Sequence, residues 1–210
     1  MIVGIHKEFL MKQLSQRGVL LFGAMLAVCA FVGPSMASAA SWNVAGTHQL
    51  LSPNFSLAGG APNFIGASCT QSTFNTTITN GADGAVVGSR FVNCRGTGGA
   101  AFSCTATATG QRFPWTATAT ATDNIQIQNV HMNVAFEALP GTAAAECLVF
   151  GLQITLTGTL TGGSWNPFSR EITLAAESGL TAHPNNAAAS FDVTVAGTIR
   201  DINQTLGVMM

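Results

Sequence analysis

The chain contains no tyrosine, and no lysine after Lys12. Charged residues make up only 8% of its 210 positions, so the surface of any fold it adopts must be built from Thr, Ser, Asn, Gln, Gly and Ala. After residue 39 the cations are Arg90, Arg95, Arg112, Arg170 and Arg200, set against eight carboxylates, a net charge of −3 with histidine neutral. Such sparse guanidiniums cannot neutralise a run of phosphates, which excludes nucleic acid as a partner. No G-x-S-x-G elbow is present, so the hydrolase signature of that type is missing. No stretch after residue 39 has convincing helical periodicity, and no segment repeats at a fixed period. Disorder does not follow from the low charge, because 47% of the residues are apolar.

What is present begins with an export signal. Lys7, Lys12 and Arg17 precede an uncharged apolar run from Gly18 to Val32, Pro34 breaks it, and Ala37-Ser38-Ala39 supplies small residues at a cleavage site. The run is shorter than the ~20 residues a spanning helix needs, which argues against an anchor. The expected organisation is a signal peptide over 1–39, cleaved after Ala39, followed by one domain over 40–210, secreted or held at the cell envelope.

Cys69, Cys94, Cys104 and Cys147 remain after that cleavage. Four thiols on an exported chain read as two disulfides with three possible connectivities. Zinc would want close cysteine pairs, and the gaps here are far longer, so no metal and no cofactor is expected.

The clearest segment is Cys147 to Thr161. Leu148, Phe150, Leu152, Ile154, Leu156 and Leu160 share one parity, and Gln153, Thr155, Thr157, Thr159 and Thr161 the other. Strand side chains alternate between faces, so this is a long strand with one apolar and one hydroxyl face. Val149 is the large apolar residue on the second parity. Asn80-Gly81-Ala82-Asp83-Gly84 is a turn, and a hairpin centred near Ala82 sets Cys69 close to opposite Cys94, within reach of a disulfide. FSCTATAT at 102–109 and WTATATAT at 115–122 put alanines on the inward face, as in a tapered barrel or a thin sheet contact. Between Ile125 and Phe136 the apolar parity switches, which predicts a bulge near Gln128-Asn129. Residues 53–62, 162–167 and 178–186 read as loops, rich in Gly, Pro and Asn. Ser190 to Ile199 is the closing strand. The fold class is therefore all-β, a single antiparallel sandwich or closed or partly open barrel of about nine strands.

Several features in order carry a resemblance. They are a cysteine strand at Cys69, a cysteine ending a strand at Cys94, Gly110 followed by Pro114-Trp115, Val130-His131, the Cys147 strand, and a closing AASFDVTVAGTI. The layout resembles a group of small secreted β-rich proteins of actinobacteria that has no assigned activity. The chain departs from that pattern in carrying an early cysteine, Cys104, and lacking a late one after the long strand. The resemblance favours Cys69–Cys94, which leaves Cys104–Cys147; the rival is Cys94–Cys104 with Cys69–Cys147.

No catalytic residue is identified. His48, His131 and His183 have no ligand-spaced partner, although His131 shares a strand face with Asn129 and Asn133 and could belong to a polar binding row. Glu137, Glu146, Glu171 and Glu177 lie near strand ends, where solvated charges are expected. Trp115, Trp165, Phe113 and Phe168 lie at loop–strand junctions and could stack on sugar or meet lipid, or else close the ends of the core. The function expected is a non-catalytic binding or structural role in a secreted or wall-associated domain, with cell-wall glycan, a surface protein or lipid as partner. The alternatives are a membrane β-barrel or carrier of a small apolar ligand, and an extracellular hydrolase.

Overall fold

A computed structural model describes residues 40–210 except 61–64, 82, 122–123, 187, 204 and 210. The segment expected to be a signal peptide, residues 1–39, lies outside the described residues. Twelve strands follow in order: β1 (Ser41–Trp42), β2 (Gly46–Ser52), β3 (Phe55–Gly59), β4 (Ile65–Asn80), β5 (Asp83–Thr97), β6 (Cys104–Gly110), β7 (Trp115–Ala121), β8 (Asn124–Ala138), β9 (Gln153–Asn166), β10 (Glu171–Pro184), β11 (Phe191–Asp201) and β12 (Val208–Met209). A single 3₁₀ turn, Ala144–Glu146, interrupts them among the described residues. The all-β expectation holds.

The pairing decides between sandwich and barrel. All ladders are antiparallel, and β2 and β3 lie end to end along β4, opposite Ser72–Ile78 and Ile65–Cys69. β6 and β7 likewise lie end to end between β5 and β8. Each pair is one interrupted stave. From β4 the ladder runs through β5, β6/β7, β8, β9, β10 and β11, and β11 pairs with both β2 and β3, which returns it to β4. The result is an up-and-down ring of eight staves. Closure leaves no free edge along the sheet, and eight staves give an interior just wide enough for side chains or one small ligand.

Alternation orients the wall. Ile154, Leu156 and Leu160 of β9 are buried, while the threonines between them face outward. On β6 and β7 the alanines Ala106, Ala108, Ala117 and Ala119 point in. The bulge expected near Gln128-Asn129 is present: the register with β9 slips between Ile127 and Val130, and Asn129 has φ 58°. Cys69 lies directly opposite Cys94 in the β4–β5 hairpin. The two disulfides are Cys69–Cys94 and Cys104–Cys147, with Cα separations of 3.9 and 5.1 Å.

Four local expectations are corrected. The long strand begins at Gln153, not Cys147. Cys147 is drawn inward to Cys104, and turn bonds from Phe150 N–H to Cys147 O and from Leu152 N–H to Val149 O occupy the next residues. As a result Leu148 and Phe150 are exposed, and Val149 packs against the core. Residues 162–166 continue β9, because Gly162 and Gly163 serve close packing there; a Cβ on Gly163 would meet Leu174, Ile172 and the Ile125 carbonyl. The third correction is that β10 runs on to Pro184, through register shifts that absorb Ala176 and Gly179 at positive φ. Last, residues 53–62 contain β3, since only Pro53-Asn54 breaks the stave. Gly158 and Gly179 face each other across β9 and β10. A Cβ on either would strike the other strand's backbone, so these two positions admit only glycine.

Candidate functional site

The interior is not uniformly filled. Toward the end where the chain enters β2, called here the lower end, a cavity of about 50 Å³ remains among side chains from all eight staves. Its sides are formed by Leu50, Phe74, Trp115, Met132, Leu160 and Leu180, among others. Inward alanines such as Ala117 leave the room that larger residues would take. Its surface is carbon throughout; Thr76, the one hydroxyl residue beside it, donates its hydroxyl to the His48 carbonyl at 3.2 Å. On this measure a water needs ~10–15 Å³, so the space equals roughly three or four water-sized groups, and with no polar partner it stays dry. Phe55, Phe74 and Phe91 form a mutually packed trio beside it, with ring centroids 5.4–5.7 Å apart. A smaller apolar pocket of about 20 Å³ lies at the opposite, upper end, between Leu57, Ile65, Phe136 and Phe191.

The lower end is closed by the segments that precede β2 and follow β11. β1 pairs with β12, Trp42 N–H donates to Gly81 O at 2.9 Å, and Trp42 and Leu206 cover the cavity. The turn that delivers Leu206 is organised by Asp201. Its carboxylate accepts the N–H groups of Asn203, Thr205 and Leu206 and the Thr205 hydroxyl at 3.0–3.3 Å. Burial alone would raise this carboxyl, but the donors outweigh it and hold its pKa below the ordinary aspartate value. His48 Nδ1 lies 3.4 Å from Asp201 Oδ2, both side chains buried.

The residues singled out by sequence are dispersed. Trp115 and Trp165 are 2% and 8% exposed, so neither offers a ring at the surface; Trp115 instead lines the cavity, its indole N–H held by Gln111 O at 2.9 Å. Phe113 is half-buried and stacks on Trp115 at 4.8 Å. Phe168 stands alone on the β9–β10 turn, 97% exposed. His131 is half-buried on the outer face, its pKa lowered by burial and then by the charge of Arg112. His183 lies on the outer face between Thr157 (3.2 Å from Nε2) and Ser190 (3.0 Å from Nδ1), and among the described residues no carboxylate completes the set. His48 has its carboxylate at the lower end, apart from that serine. Among the described residues, no group of three or more His, Cys, Asp or Glu is arranged to hold a metal.

Sequence reasoning missed the Asp201–His48 pair and the Trp42–Leu206 closure. Leu206 follows the last long strand and Trp42 precedes the first, and only ring closure brings them together. The comparisons with known proteins add nothing to this geometry: no family model, curated protein or solved structure matches the chain.

Proposed function

We propose that this is an exported, non-catalytic barrel that binds a small hydrophobic molecule, or the hydrocarbon end of a longer one, in its interior. The observation that carries the reading is the dry, wholly apolar cavity walled by every stave. A cavity whose surface presents no polar atom selects chiefly by size and shape, which suits a hydrocarbon segment, although one lining residue, Trp42, keeps a buried indole N–H without a partner. The wall also runs opposite to that of a membrane-spanning barrel, which is apolar outside and polar within. Here threonines face out, and Val87 is the one exposed large apolar side chain within a stave among the described residues. Two disulfides suit an oxidising, extracytoplasmic setting. The space admits roughly three or four methylene-sized groups in the closed state, so a longer chain must displace the Leu206–Trp42 cover.

The test is methyl NMR of the disulfide-bonded domain, titrated with benzene and with n-alcohols of increasing length. Shifts are expected for Leu50, Leu160, Leu180 and Leu206, and Ala117→Leu, which fills the space, should abolish them. If no compound shifts the lining methyls ahead of surface ones, the interior is not a binding site.

A further inference from the structure

We infer that the upper end of the barrel docks on the surface of a lipid bilayer through Phe102, Leu148 and Phe150. These three side chains are 79%, 74% and 58% exposed, and they come from two different loops. The Cys104–Cys147 disulfide holds the loops together at a Cα separation of 5.1 Å. A further bond, Leu139 N–H to Ser103 O at 3.3 Å, ties them beside it. Counting residues outward from the two cysteines, the Cα atoms of Phe102 and Leu148 lie at most about 16 Å apart. Phe150 is folded back toward Cys147 by its N–H bond to that carbonyl. The three exposed side chains are therefore carried by loops tied near one point, which limits the ordering entropy lost when they are buried.

Area and charge choose the occupant. At 150–250 Å² per aromatic side chain, the cluster presents roughly 400 Å². A stable protein partner or a second copy needs ~800 Å² on each side. Three large side chains projecting from loop tips are instead the amount that enters the boundary between head groups and acyl chains. Residues 98–103 and 139–152 carry no Lys or Arg and a single carboxylate, Glu146. The nearest cation, Arg95, and the nearest further carboxylate, Glu137, both pair with Thr105 and offset one another, so net attraction to anionic head groups is small and the binding is chiefly hydrophobic, with little dependence on lipid charge and salt. The smaller apolar pocket lies at this same end, so docking would set it facing the bilayer. The inference does not depend on the interior binding a ligand, and its test uses ligand-free protein.

The experiment is sedimentation of the disulfide-bonded domain with phosphatidylcholine vesicles, in low and high salt. Binding should be little changed by salt and fall at least tenfold in the F102S/L148S/F150S variant. A second variant, Leu148→Trp, should show a blue-shifted emission on adding vesicles, quenched by brominated acyl chains. Failure of the unsubstituted protein to sediment would overturn the inference. So would binding that requires anionic lipid and is lost in salt, or loss of self-association, rather than of vesicle binding, in the triple variant. Because the three residues are exposed, the variant should keep the thermal midpoint of the parent, which separates lost docking from lost folding.

Discussion

The two ends of the barrel are closed by different means. Both disulfides lie toward the upper end, where Cys147 and Cys104 tie the β8–β9 and β5–β6 connections and Cys69–Cys94 joins the start of β4 to the end of β5, at the open end of their hairpin. Three large apolar side chains are left in solvent there. The lower end has no covalent link among the described residues. It is closed by a two-residue ladder, a tryptophan, a leucine and the hydrogen bonds converging on Asp201. A covalent staple keeps loops in place while their side chains stay exposed. A hydrogen-bonded cover is stable only while it buries apolar surface, and it can open without breaking a covalent bond. The rigid end is thus suited to docking, and the openable end to admitting what the cavity takes.

Removing a staple should have the largest effect. The loop-closure relation gives roughly 4 kcal/mol for a bond spanning the separation of 43 residues between Cys104 and Cys147. It gives roughly 3.5 kcal/mol for the separation of 25 between Cys69 and Cys94. Urea denaturation of the C104S/C147S and C69S/C94S variants measures both, and the first should lose at least as much as the second. If C104S/C147S costs less than 1 kcal/mol, the upper loops are held by packing, and the contrast between the ends is wrong.

Next in size is the lower cover. Trp42→Ala should cost about 3 kcal/mol, the low end for truncating a buried aromatic, because part of its cavity merges with solvent. The same variant should speed uptake of a small apolar ligand while the disulfide variants leave uptake through the lower end unchanged. Stopped-flow binding resolves the two. Equal uptake rates in the parent and in Trp42→Ala would mean that ligand enters elsewhere.

How much of this contrast was legible in sequence differs between wall and ends. The wall was legible because alternation is local: the parity of Leu152 to Leu160, the inward alanines and the switch before Asn129 each follow from residues two apart. The hairpin that sets Cys69 against Cys94 was legible for the same reason, since Asn80-Gly81 fixes its turn. The ends were not. Leu148 and Phe150 continue the apolar parity of β9, and nothing in that pattern reveals that Cys147 is pulled away to Cys104. Trp115 and Trp165 are an exception: both are buried, as the reading that they close the ends of the core expects. The Asp201–His48 contact joins the last stave to the first, and pattern reasoning has no access to such a pairing. Glycines misled in one direction: Gly162, Gly163 and Gly179 read as loop signals but admit close packing of side chains or backbone within strands.

A smaller effect is expected from the turn that seats Leu206. Asp201→Asn keeps one acceptor oxygen but loses the charge-assisted bonds, which should cost about 1–3 kcal/mol. The pH dependence has a definite sign. A carboxyl whose folded pKa is depressed contributes stability that is full above its unfolded value, about 3.9, and is lost as pH falls through the folded value. The cover should therefore loosen only under strongly acidic conditions, and Asp201→Asn should flatten that acid limb. His131 adds a separate, milder loss below about pH 6.5, because its neutral form is the one the folded state favours. Denaturant midpoints measured from pH 2 to 8 in both Asp201→Asn and His131→Gln separate the two. An acid limb identical in parent and Asp201→Asn would remove this carboxylate from the account of the lower end.

The smallest effect sharpens the comparison most directly. Phe168 is the most exposed large apolar side chain described, yet it stands at the lower end on the turn between β9 and β10. Its neighbours Asn166 and Ser169 are tied by side-chain and backbone hydrogen bonds, and among the described residues no second large apolar residue of another loop is stapled beside it by a disulfide. If exposure alone drove lipid contact, Phe168→Ser would weaken vesicle binding as much as Phe102→Ser. If a disulfide-held cluster is required, Phe168→Ser should leave vesicle binding within experimental scatter. Stability should change by no more than about 0.5 kcal/mol, as for other surface positions. A loss of binding in Phe168→Ser matching that in Phe102→Ser would place lipid contact at both ends and end the division of labour between them.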